Sequence, residues 1–130
     1  MKFQPDTFAG TNAISRHEQG AVWVNNERFE GGLLVPWKGG VRAWSATDHA
    51  SLTAEHFGEL LALKPELVIF GSGQRIRFPP PALLRPLIDA RIGFETMDTA
   101  AACRTYNVLL AESRSVVAAL VFASAARVGG

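Results

Sequence analysis

The sequence predicts a single α/β domain built around a partly parallel sheet. The second half of the chain reads β-α-β-α-β, an order that favours parallel strands covered by helices. The first third reads as β structure and carries all three tryptophans, Trp23, Trp37 and Trp44. A length of 130 residues, with 48% hydrophobic and 19% charged side chains, suits one domain (residues 1–130) with one ordinary core.

Each element has a local reason. Ala21-Val22-Trp23-Val24 is rich in β-formers, and Asn25-Asn26 supplies two residues that tolerate positive φ, so a tight hairpin returns through Glu27-Arg28-Phe29. Gly31-Gly32 interrupts before Leu33-Leu34-Val35, which Pro36 ends; after Gly39-Gly40, Val41–Trp44 is another short strand. Thr53 is a helix N-cap, with Leu52 and Phe57 placed for a hydrophobic staple and Leu60 and Leu61 continuing the apolar face to about Leu63. Leu67-Val68-Ile69-Phe70 has no polar alternation, as expected of an interior strand covered on both faces. Arg75–Phe78 reads as extended, and Pro79-Pro80-Pro81 is stiff. The next helix starts near Leu84, so that Pro86 falls in its first turn; Leu83, Leu84, Leu87 and Ile88 form its buried side, and Gly93 follows its end. Phe94–Met97 is a strand. Asp98 or Thr99 caps a helix to about Ala111, Glu112–Ser115 turn the chain, and Val116–Phe122 is the last strand.

Charge and cysteine content narrow the classes. A net charge of +1 with dispersed arginines lacks the basic stripe of a nucleic-acid binder. The single cysteine, Cys103, excludes a disulfide within one chain and fits a reducing, cytoplasmic setting. Met1–Asp6 has no apolar segment of the secretory kind, and the apolar run Val116–Ala126, interrupted by Ser124, is too short to cross a bilayer.

Motifs of catalysis are incomplete. Gly71-Ser72-Gly73, leaving a buried strand, can form an anion-holding backbone nest or simply a tight turn. Ile76 stands where a dinucleotide fingerprint needs its third glycine, and Phe70 and Gln74 occupy the glycine positions of a nucleophile elbow around Ser72. Cys103, among alanines, reads as a buried packing thiol. His17, His49 and His56 form no ligand pattern, so no metal is expected. Asn107 is a poor helix former inside an apolar-faced helix, placed either to bond a neighbouring loop or to share a cleft with the glycine turn.

Several of these pieces together carry a resemblance. They are Leu67–Gly73, Pro79-Pro80, the Asp98–Leu109 helix with Glu112-Ser113-Arg114 after it, and the Gly31–Trp44 stretch. From about Ile14 to Phe122 the chain resembles the adipogenesis-associated Mth-domain family, which includes a mitochondrial assembly factor for respiratory complex I and many uncharacterised bacterial proteins. Ser72 stands where that pattern has threonine, and Ser113 where it has glycine. The resemblance implies a three-layer α/β fold with a mixed central sheet. It carries no activity, cofactor or named partner to the chain. With the incomplete catalytic motifs, it favours a non-enzymatic protein-interaction or assembly module. The alternative is an anion or small-molecule binder, or a small enzyme. Its site residues would be Gly71, Ser72 and Gly73, with Arg75, Asn107, Glu112 and Arg114 as polar neighbours around one shared concavity.

Overall fold

The computed structural model describes residues 10–122. Strands β1 (Ile14–Glu18), β2 (Ala21–Val24) and β3 (Glu27–Glu30) form a small antiparallel sheet. Strands β4 (Leu33–Val35), β5 (Arg42–Ala43), β6 (Leu67–Gly71), β7 (Gly93–Met97) and β8 (Val116–Leu120) form the main sheet in the order β5-β4-β8-β6-β7. Strand β6 is parallel to both neighbours, β7 and β8, whereas β4 is antiparallel to β5 and β8. The helices are α1 (Ala54–Gly58), α2 (Arg85–Asp89) and α3 (Thr99–Ala111).

The alternation of β8 divides the core into two. Val116, Ala118, Leu120 and Phe122 face a cluster with Ile69, with Cys103 and Tyr106 of α3, and with Ile14, Val22 and Val24 of the small sheet. Val117, Ala119 and Val121 face the other cluster, with Trp44, Phe57, Phe70 and Leu87. The main sheet is therefore the middle of three layers, with α3 and the small sheet on one face and α1 and α2 on the other. This mixed α/β architecture is the one the sequence and the resemblance imply. Strand β6 has paired neighbours on both edges, and Val68, Ile69 and Phe70 are buried, as four consecutive apolar residues require.

Local chemistry explains the joints. Asn25 (φ 53°) and Asn26 (φ 72°) both adopt the left-handed conformation that closes the β2–β3 hairpin. Thr53 caps α1 by accepting from the His56 amide, and His56 Nδ1 accepts from the Thr53 amide at 3.0 Å. Leu52 and Phe57 lie in one apolar cluster, as the staple requires. Asp98, not Thr99, caps α3, its Oδ1 accepting from the Ala101 amide at 2.8 Å. Gly32 is fixed by crowding: a Cβ there would stand 1.9 Å from the Ala46 carbonyl oxygen.

The structure corrects several boundaries. The helix after Thr53 is α-helical only to Gly58 and tightens to 3-10 geometry over Glu59–Leu63. The expected Val41–Trp44 strand pairs only at Arg42–Ala43, and the last strand ends at Leu120. Arg75–Phe78 belongs to no regular element. Ile88 is not on the buried side of α2 but 57% exposed, because a five-residue helix has room for one inward side chain, Leu87. Nor does Gly93 follow the end of α2; it begins β7. Arg91 (φ 61°) reverses the chain instead, with its amide donating to the Ile88 carbonyl and the Ile92 amide to that of Leu87. Strand β1 had no clear signature, because its ISRHE sequence is largely polar and exposed. The Met1–Asp6 stretch and the Ala123–Ala126 end of the apolar run lie outside the described residues.

Candidate functional site

The glycine turn sits where β6 ends, against the first turn of α3. A Cβ on Gly71 would lie 3.0 Å from Thr99 Cα and 2.9 Å from Leu120 Cδ2, so glycine there allows helix and strand to touch. Gly73 adopts φ 113°, outside the range of ordinary side chains. Thr99, buried at 6% exposure, ties this junction together. Its Oγ1 accepts from the Gly73 amide at 2.9 Å and donates to the Val121 carbonyl at 2.8 Å, while its amide donates to the Gly73 carbonyl at 2.9 Å.

Ser72 is the second hub. Its amide donates to the Met97 carbonyl at 2.8 Å. Its hydroxyl oxygen accepts from the Arg77 amide at 2.9 Å, and its single proton has the Arg75 carbonyl at 2.8 Å or the Met97 carbonyl at 3.2 Å. The amides of both Ser72 and Gly73 are thus engaged inside the fold, as is the Ser72 hydroxyl.

The other candidate residues lie elsewhere. The Arg75 side chain is exposed, on the loop beyond Ser72. Asn107 lies along α3 and bonds the backbone of β1 on both sides of its amide: Oδ1 accepts from the Ile14 amide at 2.9 Å and Nδ2 donates to the Ile14 carbonyl at 2.8 Å. That bond pair accounts for asparagine inside a helix, and docks a strand from far up the chain. Glu112 is the C-cap of α3. Arg114 Nε donates to Glu66 Oε1 at 2.9 Å, and Glu66 also accepts from the Ser115 amide at 2.8 Å. These two bonds hold the Glu66 carboxyl below its ordinary pKa, the backbone amide contributing most. Glu66 precedes β6 and Ser72 follows it, so Glu112 and Arg114 stand at the opposite end of the strand from the glycine turn. A 13-residue helix, roughly 20 Å long, separates the two ends.

The concavity beside the turn has a different lining. A cavity of about 260 Å³ opens between the β1–β2 turn and the start of α3, bordered by His17, Glu18, Gly73, Gln74, Asp98 and Phe122 among others. Of the candidate residues it includes Gly73 and not Asn107, Glu112 or Arg114. Asp98 had a local signal as a helix cap. His17 and Glu18 had none, because only the packing of the small sheet onto α3 brings them there. Among the described residues no three His, Cys, Asp or Glu side chains gather to hold a metal ion.

Cys103 lies in the second turn of α3, 3% exposed, where burial pushes its pKa up to about 12. Tyr106, also buried, donates its hydroxyl proton to the Pro36 carbonyl at 2.7 Å. The buried Asn12 side chain donates to the same carbonyl at 2.9 Å and to that of Gly39 at 3.0 Å. These groups fasten the segment between β4 and β5.

A three-layer mixed α/β domain with a tight glycine junction at the β6–α3 end defines the structural class. The chain belongs to the family described as "Protein of unknown function (DUF498/DUF598)", whose model matches residues 14–121. It is 33% identical over 109 residues to NADH dehydrogenase [ubiquinone] 1 alpha subcomplex assembly factor 3 of Bos taurus, an alignment covering 82% of this chain. The chain spans only 58% of that relative's length. It is 35% identical over 120 residues to an uncharacterized protein of Rhodobacter capsulatus, covering 88% of this chain and 87% of the relative. The crystal structure of a Bordetella parapertussis protein superposes with a TM-score of 0.82 at 36% identity, covering 87% of this chain and 97% of the other. No helix among the described residues is long and apolar enough to cross a membrane.

Proposed function

We propose that the domain is a non-enzymatic protein-interaction or assembly module, working on the cytoplasmic side of its cell. The observation that carries this reading is how the polar groups of the glycine junction and of Asn107 are used. The Ser72 and Thr99 hydroxyls, the Ser72 and Gly73 amides and both ends of the Asn107 amide are bonded to the domain's own backbone or to one another. A nucleophile, a base or an oxyanion hole needs such groups directed at a substrate. The relative named as an assembly factor supports the same reading at the level of the family. The test is reciprocal co-purification of the tagged full chain from its native cells, followed by reconstitution of any partner found. A stoichiometric complex re-formed from purified components supports the module. A chain that stays free of protein partners while turning over a small molecule refutes it.

A second reading has its own observation, the 260 Å³ cavity beside Gly73. With Glu18 and Asp98 on its wall, a neutral or cationic guest suits it better than an anion. A rise in melting temperature with one member of a small-molecule panel supports this reading, because ligands of the native state stabilise it.

A further inference from the structure

We propose that the Gln74–Phe78 segment is a docking element that seats the domain on an anionic lipid surface. The proposal goes beyond the assembly reading and does not depend on it. These five residues are all exposed. Phe78 is 70% and Ile76 50% exposed, so two large apolar side chains stand in water within three positions. Arg75 and Arg77 alternate with them, and neither is in an ion pair among the described residues. From Leu67 to Ile88 the sequence holds no Asp or Glu. The third cation of that stretch, Arg85, is paired with Asp89 at 3.2 Å.

The backbone explains why the apolar side chains stay out. The Ser72 hydroxyl holds the segment at the Arg77 amide and the Arg75 carbonyl, at 2.9 and 2.8 Å. His49 Nε2 lies 3.3 Å from the Phe78 carbonyl oxygen, and the buried Pro79 anchors the far end. A loose loop would fold Ile76 and Phe78 back onto the domain. This one is held at both ends and presents them at little further cost in chain entropy.

Charge and footprint select the occupant. Apolar side chains flanked by unpaired arginines match the boundary between anionic headgroups and acyl chains, which supplies both environments at once. A stable protein interface takes roughly 20–30 residues a side, and a five-residue strap falls well short of that. A bilayer needs no matching shape.

The experiment is sedimentation of the full chain with vesicles of equal phosphatidylglycerol and phosphatidylcholine, and with vesicles of phosphatidylcholine alone. The expected result is co-sedimentation with the anionic vesicles only, weakening as salt is raised. Phe78→Ser should lower the partition coefficient by roughly tenfold. Arg75→Gln and Arg77→Gln should each lower it by roughly fivefold. Circular dichroism and melting check that each variant is folded, and Ile76→Ser replaces Phe78→Ser if that chain does not fold. A parent that stays in the supernatant overturns the proposal. So does equal binding to neutral vesicles, or binding that none of the folded variants reduces. If the parent ignores vesicles while folded strap variants lose a reconstituted protein partner, the element docks protein instead. The assembly reading then stands and the lipid proposal falls.

Discussion

Replacing Thr99 by valine keeps the shape of a buried side chain and removes the hydroxyl that joins three segments. In the parent, that oxygen accepts from the Gly73 amide at 2.9 Å and donates to the Val121 carbonyl at 2.8 Å. Valine leaves one backbone donor and one acceptor without a partner at a position 6% exposed. Each such orphan costs about 1–3 kcal/mol. Both bonds are buried, so the range applies to each of them. The expected loss is about 2–6 kcal/mol, a large share of the roughly 5–15 kcal/mol that a domain has. Urea unfolding followed by tryptophan fluorescence measures it, and the melting temperature should fall by roughly 7–22 °C. Thr99→Ser is the control. It keeps the hydroxyl, loses one methyl, and should cost only about 1 kcal/mol. If the valine variant is as stable as the parent, or the serine variant is the worse of the two, the hydroxyl does not hold the junction and the reasoning fails.

Three further outcomes follow from the same kind of reading. Gly32→Ala drives a Cβ to 1.9 Å from the Ala46 carbonyl oxygen, a backbone atom with no flexible end to swing away, and should cost about 3 kcal/mol or prevent folding; a melting temperature within a degree of the parent's would contradict it. Ser113 holds φ 64° at the end of α3, where its amide donates to the Leu110 carbonyl and the Arg114 amide to that of Leu109, so Ser113→Gly should stabilise by about 0.5–1 kcal/mol in urea titration, and a loss would refute the strain argument. The buried Cys103, with its pKa raised to about 12, should react with a thiol reagent at neutral pH on the order of a thousandfold more slowly than a free small thiol, and labelling at the free-thiol rate would refute the reading of Cys103 as an inert packing residue.

The legible parts of the fold were those whose reasons are local. The apolar run at Leu67–Phe70, the paired asparagines of the hairpin, the Thr53 cap and the placing of Pro86 in a first turn each depend on a few adjacent residues, and the structure has them all. The parts that were hidden depend on packing across the chain. Strand β1 is ordered by the β2 ladder and by Asn107, 93 positions away, neither of which its own ISRHE sequence announces. Arg91 and Ser113 hold left-handed positions that sequence reasoning assigns to glycine, so a search for glycine finds the wrong residue or none. The candidate site was partly legible for the same reason. Gly71-Ser72-Gly73 was conspicuous as a break after a buried strand, whereas Thr99 has the sequence context of any helix start. The elements that set Glu112 and Arg114 at the far end of β6 are visible only once α3 is laid along the sheet.

Ser72 couples the junction to the exposed strap. Ser72 faces both ways: its amide closes onto Met97 at the end of β7, and its hydroxyl holds Arg75 and Arg77 beyond the turn. The hydroxyl's bonds to Arg75 and Arg77 fix the path of the loop in this chain. On this argument the interior of the β6–α3 junction is rigid so that the loop leaving it can present side chains outward. Ser72→Ala is where the two roles separate. It removes the loop's bonds to the hydroxyl while leaving the Ser72 amide on Met97, so the strap should loosen more than the core. Hydrogen exchange reads this directly: the Arg77 amide should lose protection, while amides of β6 and β8 keep most of theirs. Equal loss of protection in the strap and the two strands would mean that the hydroxyl supports the whole domain, and the strap would have no separate anchor.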